Sequence, residues 1–134
     1  MKKHLLALIV MSLLGGIFSS CSTGSVVTVD NAGFQKILTD RGTAAVLLDV
    51  RTADEFVGGH LRGAVNVDVL ADGFTAKATE VLRERGAKVA CVYCRSGRRS
   101  LDAAAKLSKA GFKVVNLDNG IIGWQNGGGD ITKD

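Results

Sequence analysis

The sequence predicts a single α/β domain with a central parallel sheet of about five strands and helices on both faces. The chain has 134 residues, which is enough for one domain rather than two. Runs of β-branched residues alternate with helical patterns, and this order is typical of a parallel sheet. The run at residues 45–48 is continuously apolar, as in a strand that is covered on both faces. A composition of 46% hydrophobic and 22% charged residues with three cysteines excludes a disordered chain and a disulfide scaffold.

The predicted strands share short β-branched or apolar runs, and they cover residues 26–29, 45–50, 64–67, 88–93 and 113–117. Helices are predicted around residues 34–38 and over residues 52–57, 74–85, 100–110 and 121–124. Asp30 or Asn31 is a suitable cap for the first helix. Thr52 and Glu55 have the spacing of a capping box. Glycines end the two long helices at Gly86 and Gly111.

Apolar residues at helical spacing indicate which face of each helix is buried. In the helix at residues 100–110 the predicted inward residues are Leu101, Ala104, Ala105 and Leu107.

Residues 1–20 are expected to be a secretory signal peptide that precedes the domain. Lys2 and Lys3 provide positive charge, and the apolar segment at residues 5–18 is shorter than the roughly 20 residues that a spanning helix needs. Removal of the two lysines lowers the formal net charge from +4 to +2. The positive charge therefore does not indicate a nucleic-acid partner.

The end of this segment, Phe18-Ser19-Ser20-Cys21, resembles a bacterial lipoprotein signal, in which the cysteine becomes the lipidated first residue. Ordinary cleavage beside Cys21 is the alternative. Either processing places the protein outside the cytoplasm, and lipidation would hold it to the membrane only through the lipid chains. A tether at residues 21–25 and a domain at residues 26–134 would follow.

A short polar loop between a buried strand and a helix carries the candidate nucleophile, Cys94. The loop reads Cys94-Arg95-Ser96-Gly97-Arg98-Arg99. Unpaired N–H groups at the helix start, a nest of N–H groups made possible by Gly97 and three guanidinium groups would all lower the pKa of the thiol. The same groups would hold an anion. The pattern therefore predicts an exposed thiolate nucleophile in an anion-binding loop rather than a metal site.

Several segments of the chain resemble the motifs of single-domain rhodaneses, which are thiosulfate sulfurtransferases. They are Leu48-Asp49-Val50-Arg51, Glu55-Phe56, Gly59-His60-Leu61-Arg62-Gly63-Ala64, the Cys94 loop and Gly120-Ile121-Ile122-Gly123-Trp124. The resemblance extends over residues 26–124. Arg62 stands where proline is usual in the family, and Asn119-Gly120 replaces a pair of glycines.

The resemblance implies a rhodanese-like fold and a two-step sulfur transfer. Cys94 would take the outer sulfur of thiosulfate as a persulfide, release sulfite and pass the sulfur to a thiol or to cyanide. The loop residues would bind the anionic donor, namely Arg95, Ser96, Gly97, Arg98 and Arg99. No cofactor, metal or nucleic acid is implied, and the sequence carries no signal for an oligomeric state.

Three other functions remain open at this point. A persulfide carrier or partner-binding lipoprotein would keep Cys94 but require a specific acceptor. A phosphatase or arsenate reductase of the Cys-x5-Arg type needs arginine six positions after the cysteine, where this chain has Ser100. Thiol–disulfide exchange would use Cys91 with Cys94. We expect Cys91 to be a buried core thiol, because odd spacing along a strand places the two side chains on opposite faces.

Four other residues have side chains that could take part in catalysis or ligand binding, but they are expected to be structural. Asp49 and Arg51 would stabilise the turn after their strand, His60 would stabilise the turn at Gly58-Gly59, and Trp124 would belong to the core.

Overall fold

The computed structural model describes residues 24–134. The expected signal peptide, Cys21 and most of the tether lie outside the described residues. Five strands alternate with five α-helices: β1 Ser25–Val29, α1 Asn31–Arg41, β2 Ala45–Asp49, α2 Ala53–Val57, β3 Val65–Asn66, α3 Phe74–Glu84, β4 Val89–Tyr93, α4 Arg98–Lys109, β5 Lys113–Leu117 and α5 Gly120–Asn126. A 3₁₀ turn, Gly42–Ala44, joins α1 to β2. Over residues 24–134 no helix has the length and apolar character that crossing a membrane requires.

All five strands belong to one parallel sheet with the order β1-β5-β4-β2-β3. This arrangement confirms the predicted fold class. Strand β4 occupies the centre, between β5 and β2. Because the strands are parallel, the loops that follow β2, β4 and β5 meet at one edge of the sheet. Cys94 comes directly after β4 and therefore lies at this edge.

Two apolar clusters cover the two faces of the sheet. On one face, residues of α3 and α4 such as Leu82 and Leu107 pack with Val92 and Cys94. On the other face, Phe34 of α1 and Trp124 of α5 pack with strand residues that include Cys91. Each cluster removes many apolar side chains from water, at about 25 cal/mol for each Å² buried. Helices on both faces were expected from the continuously apolar strands.

The local capping chemistry follows the sequence at two helices. Asp30 caps α1 by accepting a hydrogen bond from the Gly33 backbone N–H at 2.8 Å. Thr52 and Glu55 form the expected capping box at the start of α2. These caps fix where each helix begins after its strand.

Helix α4 differs from its prediction in both start and rotation. It begins at Arg98 rather than at residue 100. Its buried residues are Ser100, Ala103, Ala104 and Leu107. Leu101 is 50% exposed and Ala105 is exposed, so the expectation that these two face inward is wrong. Small side chains at positions 100, 103 and 104 instead let the helix lie close to the sheet.

Three smaller boundary differences occur elsewhere. Strand β1 begins at Ser25, one residue into the segment that was expected to be a tether. The short strand β3 contains only Val65 and Asn66. The last helix extends to Asn126, past the expected end at Trp124.

Candidate active site

The loop after β4 is held from behind by the first turn of α5. The backbone N–H of Ile121 donates to the carbonyl oxygen of Cys94 at 2.9 Å, and that of Ile122 donates to Arg95 at 3.2 Å. The loop carbonyls therefore point towards α5. Their orientation leaves the N–H groups of the loop free to turn towards the cysteine sulfur.

Gly97 makes the tight course of this loop possible. Its φ angle is +106°, in the left-handed region that favours glycine. A Cβ atom at this position would also overlap the carbonyl oxygen of Asp118. No other residue type satisfies both conditions without a shift of the backbone.

The Cys94 sulfur lies at the centre of the loop. The Gly97 backbone N–H donates to Sγ at 3.1 Å, and Ser100 Oγ lies 3.4 Å from Sγ. Burial raises the pKa of Cys94, but hydrogen bonds from the Ser100 hydroxyl and from the backbone N–H groups at positions 100, 97 and 96 outweigh it, so that the pKa lies below its ordinary value. The site is therefore suited to a thiolate.

The expectation that the sulfur is exposed is wrong. Cys94 is only 1% exposed and contacts the apolar cluster beneath α3 and α4. The reason is the strand itself: Cys94 continues the side-chain alternation of β4, so its side chain points to the same face as Val92. The pKa of Cys94 is lowered by its hydrogen-bond donors and not by contact with water.

The three arginines of the loop have different environments. Arg95 and Arg98 are exposed, as is Ser96. Arg99 is partly buried and donates from Nη1 and Nη2 to the two carboxylate oxygens of Glu55, at 2.7 and 2.9 Å. Sequence reasoning treated the three as equivalent. The structure leaves Arg95 and Arg98 at the surface and pairs Arg99 with α2.

A buried network joins the end of β2 to the end of β4. Arg51 donates to both oxygens of Asp49, with the shortest distance 2.6 Å, and to the carbonyl of Gly59 at 2.7 Å. The Tyr93 hydroxyl donates to Asp49 at 2.6 Å and accepts from the Leu61 backbone N–H at 3.0 Å. The expected structural role of Asp49 and Arg51 is confirmed, since both are buried and mutually satisfied.

His60 and Trp124 also have the structural environments that were expected. His60 is 3% exposed, its Nδ1 lies 3.0 Å from the carbonyl oxygen of Phe56, and its ring stacks on the Phe56 ring. Trp124 belongs to the core, and its Nε1 donates to the carbonyl oxygen of Asp130.

Cys91 has no share in this site. It is fully buried in the cluster on the opposite face of the sheet, and burial raises its pKa to about 12. Both Cys91 and Cys94 are free thiols. Within the part of the chain described here, no group of three His, Cys, Asp or Glu side chains could hold a metal ion.

Sequence reasoning missed two residues at the site. Ser100 was taken only as the start of a helix, although a hydroxyl just after the loop is well placed to face the sulfur. Glu55 was taken as a capping residue and as part of a family motif, without a contact to the Cys94 loop. No local sequence pattern links it to Arg99, since 44 positions separate the two residues.

Comparison with known proteins agrees with the fold. The family model of the rhodanese-like domain matches residues 30–127. Rhodanese-like domain-containing protein 17 of Arabidopsis thaliana is 33% identical over 136 aligned residues, which cover 94% of this chain and 85% of that protein. Thiosulfate sulfurtransferase 18 of the same plant is 33% identical over 81% of this chain and 85% of its own.

Solved structures give the same result. The crystal structure of a rhodanese-related protein from Thermoplasma volcanium superposes with a TM-score of 0.65 and 25% sequence identity, covering 80% of this chain and 98% of that one. The chain therefore belongs to the rhodanese-like domain family.

Proposed function

We propose that the protein is a sulfurtransferase that moves a sulfane sulfur from thiosulfate, or from a persulfide, to a thiophilic acceptor through a persulfide on Cys94. The observation that carries the proposal is the sulfur of Cys94, which receives the Gly97 N–H at 3.1 Å in a loop at a helix N-terminus. Relatives that are named sulfurtransferases support the same reaction class.

In the first step, the Cys94 thiolate attacks the outer sulfur of thiosulfate. A bond forms between Sγ and this sulfur, the sulfur–sulfur bond of thiosulfate breaks, and its electron pair leaves with sulfite. The new terminal sulfur is an anion. The N–H groups of Ser96 and Gly97 are suited to stabilise it, as they stabilise the thiolate.

In the second step, cyanide or a thiolate attacks the terminal sulfur of the persulfide. The bond to Sγ breaks, and Cys94 returns to the thiolate form. Arg95 and Arg98 are exposed on the loop and would attract the sulfonate group of the donor. The protein needs no cofactor for this exchange, because the substrates supply both the sulfur and the electrons.

A thiosulfate–cyanide assay tests the proposal. The wild type should form thiocyanate, and Cys94→Ser should abolish it, while mass spectrometry should detect one added sulfur atom on Cys94 after incubation with thiosulfate alone. Cys91→Ser is the matched control, because it alters the neighbouring thiol on the other face of the sheet. It should keep most of the activity, and equal inactivation of both variants would favour thiol–disulfide exchange instead.

A persulfide carrier is the second candidate, and the 1% exposure of Cys94 favours it. A persulfide at this depth would be protected from small thiols. Cyanide would then remove the sulfur from the isolated, loaded protein only slowly, within hours rather than seconds. Rapid removal at millimolar cyanide would exclude a carrier that depends on one acceptor.

We also propose that the domain works outside the cytoplasm, attached to the membrane through lipidated Cys21. The Phe18-Ser19-Ser20-Cys21 segment supports this proposal. The full chain expressed in a bacterium should incorporate labelled fatty acid and sediment with membranes. Cys21→Ser should lose both properties, and unchanged fractionation of this variant would contradict lipidation.

A further inference from the structure

Among the residues that the structure describes, an ion pair between α2 and α4 connects the Cys94 loop to a carboxylate. Arg99 and Glu55 meet end to end through two hydrogen bonds of 2.7 and 2.9 Å. The two side chains are 24% and 29% exposed, respectively. A bidentate pair of this kind fixes the plane of the guanidinium group as well as its position.

Glu55 is itself held by the start of its helix. Its Oε1 accepts hydrogen bonds from the backbone N–H of Thr52 at 3.2 Å and from the Thr52 hydroxyl at 3.1 Å. Arg99 and these donors together hold the pKa of Glu55 at about 2. The carboxylate is therefore ionised and hydrogen-bonded to both Thr52 and Arg99 before any substrate arrives.

Arg99 is the neighbour in the chain of a residue that contacts the Cys94 sulfur. It precedes Ser100, whose hydroxyl oxygen lies 3.4 Å from Sγ. The hydrogen bonds to Glu55 raise the pKa of Arg99, and the negative charges of the Cys94 thiolate and Asp68 raise it further. Glu55 accepts one N–H from each terminal nitrogen, and among residues 24–134 the other N–H groups of Arg99 have no acceptor.

We propose that Glu55 is a positioning residue that holds Arg99 beside the Cys94 loop, with the unused N–H groups of the guanidinium directed at the oxygens of an anionic sulfur donor. This inference rests on the proposed function and names the arginine that orients the donor. Arg95 and Arg98 attract the anion as solvated charges, whereas Arg99 presents a fixed planar donor set.

Two other roles for Glu55 make different predictions. If it only offsets the charge of Arg99, removing its charge makes the loop more positive, so the KM for thiosulfate and the pKa of Cys94 both fall. If it only stabilises the fold, the melting temperature falls and both quantities stay unchanged. A positioning role makes both rise, because a released Arg99 moves away from the donor and from the thiolate.

The experiment measures the steady-state kinetics of Glu55→Gln with thiosulfate and cyanide, and the pH dependence of Cys94 alkylation. We expect the KM for thiosulfate to rise about tenfold, with kcat within about twofold of the wild type. We expect the midpoint of alkylation to move to higher pH. Arg99→Gln should raise the KM to a similar extent, and the double variant should show no further rise.

Further variants serve as controls. Asp40→Asn removes the carboxylate partner of Lys36 in an exposed ion pair on α1 and should leave KM and the alkylation midpoint unchanged. Arg99→Lys keeps the charge but loses the bidentate geometry, so it should also raise KM. If Glu55→Gln does not fold, Glu55→Asp keeps the charge with a shorter reach and should show an intermediate rise.

Titration calorimetry of thiosulfate with Cys94→Ser separates the two proposals, because it measures donor binding without turnover. Weaker binding by Cys94→Ser/Glu55→Gln supports the positioning role even if the wild type forms no thiocyanate. A fall in KM, or equal binding by both proteins, overturns the positioning role and leaves the sulfurtransferase proposal intact.

Discussion

At the scale of single residues, the lowered pKa of Cys94 comes from directed hydrogen bonds. The side chain is buried, and burial alone makes a thiolate less stable than a thiol. The Gly97 N–H at 3.1 Å and the Ser100 hydroxyl at 3.4 Å outweigh this effect and lower the pKa of the thiol below its ordinary value. Ser100 Oγ also lies 3.1 Å from the carbonyl oxygen of Gly97, where its proton is directed when the sulfur is not charged. The hydroxyl can therefore turn its proton towards Sγ when the sulfur is negatively charged and towards the Gly97 carbonyl oxygen when it is not.

Ser100→Ala tests this arrangement. Because hydrogen bonds lower the pKa of Cys94, the midpoint of the wild-type alkylation rate should lie below the ordinary value for a cysteine thiol, and the rate should fall as the pH decreases through that midpoint. Loss of the hydroxyl should raise the midpoint by about one pH unit. Ser108→Ala, in the last turn of the same helix, is the control. An unchanged midpoint in Ser100→Ala would show that the backbone N–H groups alone stabilise the thiolate.

The sequence was sufficient to single out Cys94 as the candidate nucleophile but not to describe its surroundings. A cysteine that lies between an apolar strand and a glycine-containing loop has few roles other than that of a nucleophile. Cys94 could therefore be predicted as the candidate nucleophile. The partners of Arg99 could not, because its contact with Glu55 depends on how α2 lies against α4. Burial of the sulfur was also missed, since a polar loop sequence suggests exposure while the strand alternation directs the side chain inward.

At the scale of elements, the junction between β4 and α4 depends on one glycine. Gly97 combines a φ of +106° with close approach to the Asp118 carbonyl, which belongs to the turn after β5. The loop therefore lies between α4 and the turn that follows β5. This contact keeps the N–H of Gly97 directed at the sulfur.

A pair of alanine substitutions separates the two reasons for glycine at position 97, which are its positive φ and its close approach to the Asp118 carbonyl. Gly111 has a φ of +101°, but a Cβ there would meet nothing within 4 Å. Gly111→Ala should therefore cost about 1–2 kcal/mol of unfolding free energy from backbone strain alone and leave activity intact. Gly97→Ala should cost more than about 3 kcal/mol and abolish persulfide formation. Denaturant unfolding and the thiocyanate assay measure both effects, and equal losses for the two variants would show that the close contact is unimportant.

The rotation of α4 shows why helix faces were harder to predict than helices. The observed set (100, 103, 104 and 107) and the expected set (101, 104, 105 and 107) both have helical spacing and share Ala104 and Leu107. Hydropathy favoured the expected set because Leu101 is a second leucine. Close packing on the sheet favoured the set with serine and alanine. The choice between them depends on the distance from helix to sheet, which a single sequence does not contain.

At the scale of the whole molecule, the sheet separates two thiols that are close neighbours in sequence. Cys91 belongs to the cluster under α1 and α5, and Cys94 to the cluster under α3 and α4. A disulfide between them would need Cα atoms within about 7 Å and side chains on the same side of the chain. The central position of β4, paired with β2 and β5, prevents the strand from twisting to meet this requirement.

The folded domain should therefore resist internal disulfide formation. With a thiol oxidant such as diamide, the native protein should keep Cys91 reduced, and intact-mass analysis should detect no loss of two hydrogen atoms. The same chain unfolded in guanidinium chloride should form the bridge, because the sheet no longer separates the side chains. Rapid internal bridging in the native state would mean that β4 opens readily, and it would restore thiol–disulfide exchange as a function of this protein.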